Sequence, residues 1–112
     1  MTARAEAWLW IVQRATAAVL ALAVAVHLAT IIYAVRMGLS AATVLSRTQG
    51  NPWWLGFYLI FILAAALHAG VGLRTVLREM TPWRGFSLDG AVVCASLFLL
   101  IMGWRAAIGL FA

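Results

Sequence analysis

Three apolar runs, each close to the length that crosses a bilayer, constrain this chain more than any other feature. A helix needs about 20 apolar residues to span the hydrocarbon core. The first run extends from Ala15 to Val35, and only Thr16, His27 and Thr30 interrupt it. It is too long to be the apolar segment of a cleaved secretory signal. The run therefore predicts a transmembrane helix that is retained in the protein.

Two turn signals divide the rest of the chain. The first is the Gly-Asn-Pro sequence at 50–52, and the second is the segment 81–85, which holds a proline and a glycine. We expect spans at about residues 8–36, 53–79 and 88–108, with a polar connection at 37–49 that has room for a short surface helix. The predicted fold is an all-α membrane protein with three transmembrane helices arranged up-down-up, in a single transmembrane domain over residues 1–112.

Composition limits what the chain does by itself. It has 112 residues, of which 66% are hydrophobic and 10% charged, whereas soluble domains carry about 25% charged residues. The connecting segments are too short to form a soluble domain, so soluble chemistry must come from a partner chain. All eight basic residues are arginine, and they lie at the ends of apolar runs, which argues against nucleic acid and for anchoring at the membrane boundary. Cys94 lies inside an apolar run and is interpreted as a small packing residue.

The distribution of arginine predicts the orientation of the chain. Five arginines fall on the side of the N-terminus and of the connection between spans two and three, and three fall on the opposite side: Arg4, Arg14, Arg74, Arg78 and Arg84 against Arg36, Arg47 and Arg105. Cytoplasmic connections carry the excess of basic residues. We therefore expect a multi-pass protein of the inner (cytoplasmic) membrane with its N-terminus in the cytoplasm.

Two histidines, His27 and His68, are the ionisable candidates within the apolar cores. Polar groups in hydrocarbon are costly and usually functional, although a histidine also serves as a hydrogen-bonding residue between helices. Small residues surround His68. Ala64, Ala65, Val71 and Gly72 share its helix face, and Ala69 and Gly70 are adjacent to it. They predict either a recess for a flat macrocycle bound by the imidazole or close helix packing, and only the haem interpretation also needs the histidine.

The two histidines are expected at different depths. If Arg14 and Arg74 mark the same boundary, the helical rise places His27 about 20 Å and His68 about 9 Å from it, an offset of roughly 10 Å. They are therefore poorly placed to bind the same iron within one chain. At the inner end of the first span, Arg14 suits a quinone carbonyl or a haem propionate, with Trp10 and Gln13 nearby to complete a quinone pocket; its alternative role is snorkelling at the boundary.

Two segments resemble a known family. His68-Ala69-Gly70-Val71-Gly72-Leu73-Arg74, followed by Glu79, resembles the second-helix motif of the cytochrome b membrane-anchor subunits of succinate dehydrogenase and fumarate reductase. The segment 13–17, Gln-Arg-Ala-Thr-Ala, resembles the first-helix motif of the same family. Gln13 stands where the family usually has histidine, and Ala17 stands in place of a glycine.

The resemblance implies a function. It implies a membrane-anchor subunit of succinate:quinone oxidoreductase that packs with a second anchor subunit into a helical bundle and docks a flavoprotein and an iron–sulfur subunit, which hold the FAD and the iron–sulfur clusters. His68 would be an axial ligand of haem b, and Arg14 would lie near the quinone or a propionate. His27 fits the two-haem forms of the family, as the axial ligand of a second haem iron. Such a chain is part of an enzyme without being catalytic alone.

Two alternatives remain open at this point. The first is a haem-free structural or assembly subunit whose histidines hydrogen-bond between helices. The second is a small transporter, which the sequence disfavours because no Asp or Glu lies deep within a span.

Overall fold

The computed structural model describes residues 2–112, which form four helices and no strand. The helices are α1 (Ala3–Arg36), α2 (Ala41–Thr48), α3 (Pro52–Met80) and α4 (Phe86–Phe111). Helices α1, α3 and α4 are long and apolar enough to cross a membrane. These observations confirm the predicted all-α membrane fold, and α2 lies in the connection where a short surface helix was considered.

Local signals in the sequence account for where the helices begin. The Thr2 hydroxyl accepts a hydrogen bond from the Ala5 amide at 3.1 Å and caps α1, which is the usual role of threonine at this position. Helix α1 therefore starts in the polar N-terminal segment, five residues before the expected start of the apolar span. Asn51 caps α3 and Pro52 occupies its first turn. Gly85 precedes α4 with a φ of 89°, a conformation that glycine adopts without steric cost.

Contacts at one end of the bundle join α2 and the turn that follows it to the end of α4. The Thr48 hydroxyl donates to the Leu110 carbonyl oxygen at 2.9 Å, and the Gly50 amide donates to the Phe111 carbonyl oxygen at 2.8 Å. These donors satisfy carbonyl groups that the last turn of a helix leaves without an intrahelical partner.

Ion pairs at the other end join all three spans. Arg74 on α3 pairs with Glu6 on α1 at 3.2 Å and with Asp89 on α4 at 3.3 Å. Arg78 pairs with the same Glu6 at 3.1 Å. The start of α1, the end of α3 and the start of α4 are thus neighbours, as the up-down-up arrangement requires.

Helix α3 is the central element, since it packs against both α1 and α4. The buried apolar residues are few and mostly alanine: Ala23, Ala34, Ala64, Ala66, Leu88, Val92 and Ala107. Most large apolar side chains are exposed, which is the expected arrangement in a membrane, where lipid or partner chains cover them. Small residues let the helix backbones approach closely.

The face that α1 turns toward α3 follows a regular spacing. Its buried or half-buried residues alternate at intervals of four and three: Thr16, Leu20, Ala23, His27, Thr30 and Ala34. This period of 3.5 residues is typical of helices that cross at a small angle. Both histidines of the chain are half-buried, and the contacts described below place both at this α1–α3 interface.

Candidate functional site

The imidazole of His68 contacts α1 rather than standing in an open recess. Its Nδ1 atom lies 3.2 Å from the hydroxyl oxygen of Thr16, which is 7% exposed. The Thr16 hydroxyl also lies 2.7 Å from the Val12 carbonyl oxygen and 3.1 Å from the Gln13 carbonyl oxygen. One polar side chain on each helix therefore meets the other at this depth, within otherwise apolar surroundings.

The glycines near His68 serve close helix packing. A Cβ atom on Gly70 would lie 3.0 Å from the Ser96 hydroxyl oxygen of α4, and one on Gly72 would lie 3.2 Å from the Gln13 side-chain nitrogen of α1. Ser96 in turn donates to the Ala66 carbonyl oxygen at 2.6 Å. At these two glycines the structure favours the packing interpretation, and it identifies Ser96 as an interhelical contact that the sequence pattern did not reveal.

His27 has different neighbours. Its ring meets the edges or faces of Tyr58 and Phe61 in T-shaped arrangements, with centroids 5.8 and 5.5 Å apart. Its Nδ1 atom is buried without a hydrogen-bond partner. The hydrogen bond to a hydroxyl or carbonyl that a purely structural histidine would make at that nitrogen is thus not formed among residues 2–112.

A groove with a volume of about 530 Å³ opens beside His27. Its lining is almost entirely apolar and includes several small residues of α3 and α4: Ala65, Gly103, Ala106 and Ala107. Small side chains along one wall leave room for a flat apolar molecule, and an imidazole with an unsatisfied nitrogen lies at its edge. The groove lies between α1, α3 and α4.

The structure separates the two histidines along the bundle more widely than the sequence predicted. Because Thr16 lies level with His68, the eleven residues from Thr16 to His27 correspond to about 16 Å of helical rise. The sequence-based depth assumed that Arg14 and Arg74 mark one boundary. Instead Arg74 pairs with Glu6, eight residues nearer the N-terminus than Arg14. The two imidazoles therefore occupy distinct levels of the bundle.

A second groove, of about 570 Å³, lies between the first turns of α1 and the last turns of α3. Trp10 and Gln13 line it together with Arg74, and the Gln13 side-chain oxygen is buried without a partner. Arg14 does not line this groove, because its guanidinium lies over the Trp10 ring, 4.6 Å from the centroid. Of the three residues predicted to form the quinone pocket, Trp10 and Gln13 thus line the groove, and Arg14 lies over the Trp10 ring.

The arginine that lines this groove is Arg74, which the sequence analysis used as a boundary marker but did not assign to the quinone pocket. The Arg74 side chain is 12% exposed and is held by carboxylates from the other two spans, Glu6 and Asp89. Glu79, the acidic residue that follows the second-helix motif, is exposed. The signal for Arg74 was its place at the end of that motif, but the identity of its partners depends on tertiary packing.

Within residues 2–112 no cluster of three or more His, Cys, Asp or Glu side chains is positioned to hold a metal ion. An axial ligand to haem is a different arrangement, because one imidazole from a chain is enough. Of the described side chains, His27 and His68 have the chemistry for that role.

Comparison with known proteins gives one match. The family model described as "Succinate dehydrogenase/Fumarate reductase transmembrane subunit" matches residues 1–108. No curated protein and no solved structure matches the chain significantly.

Proposed function

Because the chain belongs to the succinate dehydrogenase/fumarate reductase transmembrane subunit family, we propose that it binds haem b and a quinone and anchors the soluble subunits of the enzyme. One observation carries the proposal. The two family-like segments, one on α1 and one on α3, contact each other through Thr16 and His68 at 3.2 Å, and the Gln13 side-chain nitrogen lies so close to Gly72 that an added Cβ would be 3.2 Å from it.

His68 is the proposed axial ligand of haem b. Its Nδ1 atom is engaged with Thr16, so that Nε2 is the nitrogen left for iron. A second membrane-anchor subunit would supply the opposite ligand, since no other histidine of this chain lies at that level. When bound, haem b accepts and donates single electrons, and its potential depends on ligation and burial. The task of this chain is to hold and orient the ligand.

His27 is the proposed ligand of a second haem. The unpartnered Nδ1 atom and the adjoining apolar groove of about 530 Å³ support it. The separation of about 16 Å along α1 would place the two haem sites in series across the bilayer. Burying that nitrogen without a hydrogen bond is costly, which supports a functional reason for keeping the imidazole at this level.

The groove beside Trp10 and Gln13 is the proposed quinone site. The Gln13 amide can donate to a carbonyl oxygen and can accept from a hydroxyl group, which suits both redox forms of a quinone. The Trp10 ring offers an apolar surface to cover the ligand ring. Arg14 stacks on that tryptophan, so that it would stabilise the wall of the site and could donate to a haem propionate or the quinone.

The end of the bundle with the ion pairs is the proposed docking surface for the flavoprotein and iron–sulfur subunits. It carries five of the eight arginines and all three acidic residues of the chain. Alternating charges of both signs favour a specific polar contact over a lipid surface. With the excess of arginine on this side, the proposal places it in the cytoplasm, in a chain of the inner membrane.

The alternative is a haem-free structural or assembly subunit. The close packing at Gly70 and Gly72 favours it, because small residues at these positions serve the helix contacts whether or not haem is bound.

The subunit composition and the absorption spectrum of the purified complex test this proposal. We expect a flavoprotein and an iron–sulfur protein to copurify with the chain and the reduced complex to show the absorption bands of haem b. A complex with both soluble partners but no haem bands would support the alternative, and a preparation without either partner would contradict the proposed anchoring role.

A further inference from the structure

We propose that Thr16 is a positioning residue that holds His68 in the tautomer with its proton on Nδ1 and thereby keeps Nε2 free to bind iron. The inference rests on the proposed haem function of His68 and assigns a role to a residue on a different helix. Thr16 and His68 are 52 residues apart in sequence, so the ligand is oriented by the packing of α1 on α3.

The direction of the hydrogen bond follows from the other neighbours of the hydroxyl. A threonine hydroxyl has one proton to donate and can accept further hydrogen bonds. The Thr16 oxygen lies 2.7 Å from the Val12 carbonyl oxygen and 3.1 Å from the Gln13 carbonyl oxygen. Carbonyl oxygens only accept, and a threonine that bonds back to the preceding turn is common in membrane helices. The single proton is therefore committed to the backbone of α1.

The imidazole must then be the donor in the contact with Thr16. The distance of 3.2 Å lies within the range for an N–H···O hydrogen bond. With its proton on Nδ1, a neutral imidazole carries its free electron pair on Nε2. The opposite tautomer would place two lone pairs against each other at the contact, unless the hydroxyl gave up its carbonyl partners.

Burial strengthens the constraint. Thr16 is 7% exposed and lies in the apolar part of the bundle, so no bulk solvent competes for the imidazole N–H. A hydrogen bond at the distal nitrogen fixes the ring orientation of a metal-binding histidine and makes it a stronger electron donor to the metal. The hydrogen bond to Thr16 thus leaves Nε2 of His68 available to bind iron and fixes the orientation of the ring. Neither effect requires a ligand from a partner chain.

The experiment compares Thr16→Val, which removes the hydroxyl but keeps the branched shape, with Thr16→Ser, which keeps the hydroxyl. Both are made in the complete complex, and haem b per FAD is measured after growth with limiting haem. We expect Thr16→Val to retain haem about 10–100-fold less tightly and to raise the midpoint potential, because a weaker donor stabilises ferric iron less. The ferric electron paramagnetic resonance signal should shift with it, and Thr16→Ser should behave like the native chain.

Two further variants keep the outcomes distinct. If the Thr16→Val complex does not assemble, Thr16→Ala takes its place, since alanine fits any helix and lacks the hydroxyl. Native potential and native ferric signal in Thr16→Val or Thr16→Ala, together with haem loss in His68→Ala, would overturn the role of Thr16 and leave the proposed function standing. Full haem content in His68→Ala would overturn the proposed function itself.

Discussion

The two histidines lie on the same interface between α1 and α3, yet their surroundings are opposite. His68 meets the hydroxyl of Thr16, whereas His27 meets the rings of Tyr58 and Phe61 and keeps a buried Nδ1 atom without a partner. A hydrogen bond fixes both the position and the tautomer of a ring, while aromatic contacts fix position alone. The same residue type is therefore fixed in position and tautomer at one level and in position alone at the other.

The side chains around each level differ in the same sense. Near His68 an added Cβ on Gly70 or Gly72 would approach Ser96 or Gln13, whereas near His27 an apolar groove is bounded by residues of α1, α3 and α4. Tight packing restricts the motion of a side chain, whereas an open groove leaves space that a bound molecule can fill. From this contrast we expect substitutions at the two levels to have separable effects.

The largest effect is expected from His68→Ala. Removing the imidazole should abolish the haem bound at this level, because an alanine side chain offers no ligand. The Thr16 hydroxyl keeps its bond to the Val12 carbonyl, so the helices should still pack. The measurement is haem b per FAD in the purified complex, with the copurified iron–sulfur subunit as the control for assembly. An unchanged ratio of haem b to FAD would contradict the proposed role of His68 as a haem ligand.

His27→Ala should remove only the second haem. We expect the native complex to hold about two haems b per FAD and the variant to hold about one, since the two imidazoles are the proposed ligands of different irons. His27→Phe, which restores an aromatic ring between Tyr58 and Phe61, is the matched control and should not restore the haem. A native ratio near one that neither variant changes would leave His27 as a packing residue.

Gln13→Ala should impair the reaction with quinone by about tenfold, the value of roughly one hydrogen bond of 1.4 kcal/mol. The expected readout is slower quinone reduction with succinate oxidation by an artificial dye largely unchanged. Thr30→Ala is the control at the other level, because its hydroxyl bonds only to the backbone at His27. Equal loss of both activities in Gln13→Ala would indicate failed assembly instead of a quinone contact.

The smallest effect on function is expected from Gly103→Ala, which acts mainly on stability. An added Cβ would lie 2.7 Å from the Ile62 Cγ2 atom, so α3 and α4 must separate slightly, at a cost of about 1–3 kcal/mol. Both residues line the groove at His27, so the thermal midpoint and the haem at that level should change while the haem at His68 does not. Gly109→Ala, where nothing lies within 4 Å of the added atom, should leave both properties unchanged.

The sequence predicted the fold well because membrane spans depend on local properties. Apolar length and turn residues were sufficient for three helices and their order. The start of α1 was harder to predict. Residues 3–7 are helical because of the Thr2 cap and a following charged residue, and not because they are apolar. Hydropathy delimits the part of a helix that lies in lipid, which is shorter than the helix itself.

The candidate site was predictable only in part, because its geometry depends on the axial register of α1 relative to α3. The spacing of polar residues indicated that Trp10 and Gln13 share a region, and the structure brings both to one groove. The pairing of Arg74 with Glu6, and the meeting of Thr16 with His68, depend on the register between two helices. Nothing in a single helical pattern specifies that register, so the sequence did not reveal that Arg74 lines the groove beside Trp10 and Gln13.

The central position of α3 has a consequence for how the protein is made. The Thr16–His68 hydrogen bond and the ring contacts of His27 all join α1 to α3, and both of these spans are synthesised before α4. Both imidazoles can therefore be set in place while Phe86–Phe111 is still on the ribosome. The last span then adds Gly103, Ala106 and Ala107 to the groove beside His27, so that this wall forms only after the two imidazoles have met their partners.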